Sequence, residues 1–328
     1  MTSKSSALSL FLTPIVLWGL LGTAPSPEPP QVELNNGHVR TVLYLPDATR
    51  GYYRGIRFDW AGAFKSLTHN DHDYVSQWFE TYNPTMHDAI NGPADEFVAL
   101  GFDGAKPGET FVKIGVGVLR KPDEKAYFFA RDYDVVDRGK WTVKRGKNNV
   151  AFTHELADPA TGYGYRYTKT VRLTKNEPEL VLEHSLTNTG QKTIETSTYN
   201  HNFWIIDGQP TGPGIEVVFP YAIRGQGQGF GDLVKPTGKK LIYSRTFEKK
   251  EYVFSAGLEG FDATPAGYDF SIENTKTGAG VRATADLPLD KLVYWACATT
   301  SCPEPYVRLS AAPGETKNWN IRYRFYQK

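Results

Sequence analysis

Four of the seven histidines in this chain stand where their neighbours could turn an imidazole to chemical use. His69, His72 and His87 fall in THNDHDYVSQWFETYNPTMHDAINGPADEF, and His201 in STYNHNFWIID. The first segment is irregular, polar and rich in Asp, Asn, Trp and Tyr, the composition of loops that furnish sugar or metal sites. His69, Asp71, His72, Asp73, His87 and Asp88 offer imidazole and carboxylate ligands that suit zinc or another divalent ion. Their spacing matches no helix-borne pair of the HExxH kind, and such loop residues more often bond to backbone or substrate. No metal and no other cofactor is therefore expected. His38, His154 and His184 read as structural; His184 sits inside the strand-like run LVLEHSL.

The two cysteines, Cys297 and Cys302, lie close together in ACATTSCPE. Their state depends on compartment, and the N-terminus speaks to that. Lys4 is a positive start, Ala7 to Leu21 is mostly apolar, and Gly22-Thr23-Ala24 supplies small residues at a cleavage point. Residues 1–24 read as a secretory signal peptide, because the apolar run is short for a membrane span and contains Pro14. The mature protein, 25–328, is expected to be a secreted or periplasmic single domain with no membrane partner. In an oxidising compartment Cys297 and Cys302 would form a local disulfide worth about 2 kcal/mol. Such a bridge would also fix the backbone just before Glu304.

The elements that must position these residues are strands. FVKIGVGVL (111–119), YGYRYTKTVRL (163–173), LVLEHSLTN (180–188) and IETSTYNHNFWII (194–206) carry alternation or β-branched and aromatic enrichment. IEVVFPYAI (215–223), YDFSIENT (268–275), GVRATADL (280–287), KLVYWACA (291–298), YVRLSA (306–311) and NWNIRYRFYQ (318–327) continue the theme. TNTGQK, DGQPTGPG, NTKTGAG and AAPGE separate them as turns. VSQWFETY, 75–82, reads as a single helical turn, and the Gly-rich RGQGQGFGD (224–232) as a rim loop. Many strands without interleaved helices indicate an all-β sandwich or barrel.

Two stretches carry a family resemblance. LTNTGQKTIETSTYNHNFWIIDG (186–208) resembles the central signature of the galactose mutarotase (aldose 1-epimerase) superfamily, with Asn188-Thr189-Gly190, then Asn200-His201, then Phe203-Trp204. PEPYVRLSAAPGETKNWNIRYRFY (303–326) resembles that family's ending, with Glu304, the turn Pro313-Gly314-Glu315 and a final aromatic strand from Trp319 to Tyr326. There are departures. The second Asn of the central signature is absent, and a family His from a His-Gly-rich stretch is best matched by His87, with His72 second. The family's N-terminal Asn-Arg pair is replaced by Arg54-Gly55-Ile56-Arg57.

The resemblance implies a large antiparallel β-sandwich, the super-sandwich, with sugar bound across one concave sheet. It also implies exchange of sugar anomers, which requires ring opening: a base takes the C1 hydroxyl proton while an acid protonates the ring oxygen. On this reading Glu304 is the base, His201 the acid, and His87 or His72 orients the ring oxygen. Arg57 binds hydroxyls beside Asn200, and Trp78 or Trp204 stacks on the sugar ring. Two other readings stay open: a carbohydrate-binding protein without turnover, and a polysaccharide lyase or hydrolase on a related super-sandwich. Lys and Arg number 37 against 36 Asp and Glu, a balance that leaves no basic stripe for a nucleic-acid partner.

Overall fold

Alternation in sequence becomes two-faced strands in the structure. Along Tyr163–Leu173 the side chains of Tyr165, Tyr167, Lys169, Val171 and Leu173 are buried, while most of those between them are less so. The structure, a computed structural model, describes Met1 and residues 28–328, so the expected signal peptide lies, Met1 aside, outside the described residues.

All strand pairings in the named sheets are antiparallel, and two large sheets dominate. The ten-stranded sheet begins Val234–Thr237, Lys240–Tyr243, Ile215–Val218, Asp269–Asn274, Ala279–Ala285. It continues Thr316–Gln327, Glu179–Asn188, Tyr163–Leu173, Asn149–Asp158, Lys140–Arg145. The five-stranded sheet runs Tyr252–Ser255, Lys291–Cys297, Ser301–Ala311, Ile194–Phe203, Gly92–Phe97. Their inner faces share one apolar core, where Phe97 of the smaller sheet meets Tyr167 and Trp319 of the larger edge-on, with ring centroids 5.2 and 6.4 Å apart. This is the all-β sandwich that the sequence pattern predicts.

The core between the sheets also holds charge. Lys169 Nζ lies 2.5 Å from Asp95 Oδ2 and 3.8 Å from Asp59 Oδ2, and all three side chains are sealed from solvent. His184 Nε2 stands 3.4 Å from the same Asp95 oxygen, and Asn200 Nδ2 donates to the other at 2.8 Å. Burial would raise both carboxyls, but Lys169 and His184 hold Asp95 well below its ordinary value. Asp59, farther from the ammonium and repelled by Asp95, is raised by its burial. Lys169 thus bonds the ten-stranded sheet to the edge strand Gly92–Phe97.

The five-stranded sheet is covered on both faces at one end only. Ile194–Phe203 alternates in burial up to Thr198 and is continuously buried from there to Phe203, and every residue of Gly92–Phe97 is buried. The second cover is a satellite cluster in which Tyr52, Tyr53, Phe58 and Trp60 pack on Ile90, Ala94, Phe203 and Cys302.

Three local expectations are corrected. FVKIGVGVL is a hairpin, Thr110–Lys113 paired with Gly117–Arg120, because the chain turns at Gly115. Gly115 has φ +77°, and a Cβ there would lie 2.3 Å from the Asp59 side chain. Residues 75–82 form no helical turn; Trp78 and Phe79 are instead drawn separately into the satellite cluster. Cys297 and Cys302 are both free thiols. Their strands pair with Cys302 opposite Trp295, so Cys297 is offset by two residues along the neighbouring strand rather than opposed to Cys302.

A prediction follows from the buried charges. Lys169→Met strands Asp95 and Asp59 without their cation and costs about 3–5 kcal/mol in urea unfolding. Removing the exposed Arg40, whose partner Glu33 is also exposed, has little effect in the same assay.

Candidate active site

The outer face of the five-stranded sheet is a grid whose register fixes every position. Val293 opposes Glu304, His201 opposes Ala94, and the pairing of Tyr199 with Tyr306 carries on to set Glu304 beside His201. One row over, Lys291, Tyr306, Tyr199 and Glu96 line up; on the other side stand Phe254, Trp295, Cys302 and Phe203. The row between the two ends in small residues, Val293 and Ala94. Together with Arg57, Trp78, Asp88 and Phe129 from the covering segments, these residues, Cys302 and Ala94 apart, enclose most of a cleft of about 430 Å³.

Glu304 and His201 share the cleft floor, with Nε2 3.3 Å from Oε1 and side chains only 6% and 4% exposed. The imidazole stacks on Phe203 at 3.8 Å and meets Trp295 and Phe58 edge-on. Burial pushes the Glu304 carboxyl up to about 8; Arg57 opposes this and Glu96 and Asp88 add to it. Burial, and then Arg57, hold His201 well below the usual imidazole range. Both shifts favour the uncharged forms of the pair at neutral pH.

Beside them each Arg57 nitrogen has a partner, and one further N–H remains on each Nη. Its Nε donates to Glu96 Oε2 at 2.7 Å, Nη2 donates to the Tyr199 hydroxyl at 2.9 Å, and Nη1 is bonded to Asp88. Tyr199 donates in turn to Glu96 at 2.6 Å, and the buried Lys113 ammonium donates to the other Glu96 oxygen at 2.8 Å. Burial alone would raise Glu96, but Lys113 and Arg57 keep it below its ordinary value. Asp88 is held down to about 2 against its burial by His87 and Arg57. A charged wall, balanced by its own cations, therefore borders an uncharged acid–base pair.

No protein-family model matches the sequence, and no curated protein matches it in sequence. Solved structures do. The Slr1438 protein from Synechocystis sp. PCC 6803 aligns with TM-score 0.56 at 13% identity, over 93% of this chain and 99% of that one. A galactose mutarotase related enzyme from Lactobacillus acidophilus aligns with TM-score 0.55 at 13% identity, over 90% and 97%. An aldose epimerase homologue from C. elegans gives 0.53 at 14% identity, over 90% and 98%. The fold is that of the galactose mutarotase-like proteins. At such identities the likeness is one of fold, and the chemistry is argued from the cleft.

Within this mutarotase-like sandwich the expected site residues divide by strand parity. His201, Glu304, Arg57 and Trp78 line the cleft, with Trp78 stacked on Phe203 at 4.8 Å and bonded to the Ile90 carbonyl. Asn200 and Trp204 do not. Side chains of successive strand residues point to opposite faces, so Asn200 goes into the core to bond Asp95, and Trp204 packs there on Tyr323 and Phe325. His87 stands behind the cleft wall, 3.1 Å from Asp88, and reaches the site only through that carboxylate. His72 is tied to Asp207 at 3.0 Å, and His69 to the His38 carbonyl at 2.9 Å, so the histidines of 69–88 diverge rather than converge. Among the described residues, no group of three or more His, Cys, Asp or Glu is gathered as a metal site.

Glu96, Tyr199, Lys113 and Trp295 are site residues that the sequence does not single out, and Asp88, there a candidate metal ligand, is instead the partner of Arg57 and His87. Parity could have found Tyr199, two residues before His201, and Trp295 carries the aromatic wall expected of Trp204. Charges inside GPADEF disguised its strand, since each carboxylate there has its own buried cation.

Glu304 should destabilise the protein it serves. Its carboxyl titrates near 8 in the folded state against an ordinary 4.5, so between those values the native state binds a proton that the unfolded chain has lost. Stability from this group falls as pH rises across that window. Glu304→Gln removes the titration, so its melting temperature should exceed wild type by a margin that grows from pH 4.5 to 8. Thermal unfolding across that range checks it.

Proposed function

We propose that the cleft binds an aldose or sugar derivative and interconverts its anomers by general acid–base catalysis. The contact between Glu304 and His201, buried side by side on the floor of an aromatic-walled cleft, is the observation that carries this reading. The two reacting oxygens of a cyclic sugar, the ring oxygen and the C1 hydroxyl, are bonded to one carbon, so both fall within reach of groups 3.3 Å apart. The Lactobacillus acidophilus relative is named a galactose mutarotase related enzyme, which supports a sugar as the ligand.

The protonation of the free protein supports roles opposite to those the resemblance implies. Neutral His201 takes the C1 hydroxyl proton through Nε2 while the Glu304 carboxylic acid protonates the ring oxygen. The bond from C1 to the ring oxygen breaks and the aldehyde forms. Rotation about C1–C2 presents the other carbonyl face. The Glu304 carboxylate then recovers the proton from the sugar hydroxyl as it closes the ring, and the His201 imidazolium returns its own to the former carbonyl oxygen. Arg57, immobilised by Glu96 and Asp88, hydrogen-bonds sugar hydroxyls at the wall and disfavours a lasting imidazolium on His201.

The test is anomer exchange followed by polarimetry or NMR over a panel of aldoses. His201→Ala and Glu304→Gln should each slow exchange by about 10²–10⁴-fold. Because the active form carries the proton on Glu304, kcat/KM should be flat through neutrality and fall above about pH 8. A rate that rises through pH 8 would instead make ionised Glu304 the starting base. Sugar binding without exchange would leave a binding protein and remove the catalytic reading.

We also infer export, from the leader at residues 1–24. The mature mass should then correspond to a chain beginning at Pro25, which intact-mass measurement of the protein recovered from the periplasm or medium decides.

A further inference from the structure

The cleft floor is longer on one side of the acid–base pair than a single sugar ring needs. Glu304 and His201 occupy the third and fourth strands of the five-stranded sheet. On the His201 side the floor stops at once. Arg57 is locked there to Glu96 and Asp88, and the Phe129 ring lies 4.0 Å from its guanidinium. On the Glu304 side two more strands follow, Lys291–Cys297 and Tyr252–Ser255, which at the usual strand spacing add about 10 Å of floor.

That extension is surfaced for a ligand. Val293, opposite Glu304, is small and leaves depth. Phe254 is paired with Trp295 across the outermost two strands, so both rings stand on the cleft face. Phe254 lines the cleft and is nevertheless 43% exposed, one of few large apolar side chains left so open among the described residues. Sugar rings present an apolar C–H face that an aromatic ring covers well, whereas Phe254 has no hydrogen bond to offer a charged group. Lys291 flanks the same stretch, its ammonium 4.8 Å from the Tyr306 ring centroid, as a donor to hydroxyls.

We propose that these two strands form a second sugar subsite, with Phe254 as its platform, so that the substrate is the reducing end of a disaccharide or longer glycan. This rests on the anomer-exchange reading. Exchange needs a free C1 hydroxyl, so the further sugar is attached through another position of the reacting ring. The first ring lies over Glu304 and His201, and the next one crosses Val293 towards Phe254.

The experiment compares each monosaccharide with disaccharides that carry it at the reducing end: glucose with maltose and cellobiose, mannose with mannobiose, galactose with galactobiose. Affinity is read by calorimetry and turnover by NMR exchange. At least one disaccharide should bind about tenfold more tightly than its monosaccharide. Phe254→Ala should bring that ratio close to one, and Phe254→Tyr should restore it. Circular dichroism confirms that the variants fold, which the exposure of Phe254 favours. Equal affinities in every pair, or a ratio that survives Phe254→Ala, overturn the subsite and leave monosaccharide exchange standing. No binding of any sugar overturns the subsite and the anomer-exchange reading together.

Discussion

A lysine ammonium and an aspartate carboxylate, both shut away from water, join the two sheets at the point where the site is built. Desolvating such a pair is expensive, and little of that cost returns as stability. What it secures here is position. Lys169 fixes Asp95; Asp95 accepts from Asn200; and the residues next in sequence, Glu96 and His201, are thereby aimed at the opposite face. The core side of two adjacent strands is pinned by charge, and the cleft side inherits the precision. Preorganised polar groups of this kind are what acid–base chemistry requires, because reacting groups displaced by an ångström lose most of their advantage.

Burial, and the cations that offset it at some carboxyls and not at others, set the chemical character of the cleft. Glu304 and His201 are kept uncharged because water is excluded from them, while Glu96, nearly as enclosed, and Asp88, more open, stay ionised because each has a cation in contact. Carboxyls of the same type on one surface are therefore driven to opposite protonation states by their partners alone. Arg57 is central to this separation. It neutralises the wall, and although its charge favours loss of the Glu304 proton, burial and the nearby Glu96 and Asp88 outweigh it.

The sequence made some of this legible and hid the rest for definite reasons. Most strands from 163 onward were readable because one face of each meets solvent and alternation survives, and Tyr163–Leu173 matches its expected limits to the residue. The four-residue strands Val234–Thr237, Lys240–Tyr243 and Tyr252–Ser255 were missed, too short to display a pattern. Gly92–Phe97 was not readable, since both faces are buried and its carboxylates look like surface residues until their cations are seen. Glu304 and His201 were found through their motifs, and so was Arg57. Asn200 and Trp204 were drawn in by the same motif although parity sends them inward. His72 was drawn in by type alone, and no local pattern distinguishes an imidazole that serves Asp207 from one that serves a substrate. The disulfide failed on register, a property of two strands that neither one displays.

The alternation that gives each strand two jobs also governs how such a protein can change. Inserting or deleting one residue within Ile194–Phe203 would exchange the faces of everything beyond it, sending His201 into the core and Asn200 into the cleft together. Floor and core are therefore inherited as one unit, open to substitution but closed to changes of length. The segments that cover the cleft, among them the stretch bearing Phe128 and Phe129, have no such tie, and loops tolerate insertion. New ligand preferences among proteins built this way should accordingly arise as longer or shorter rims around a floor of constant length.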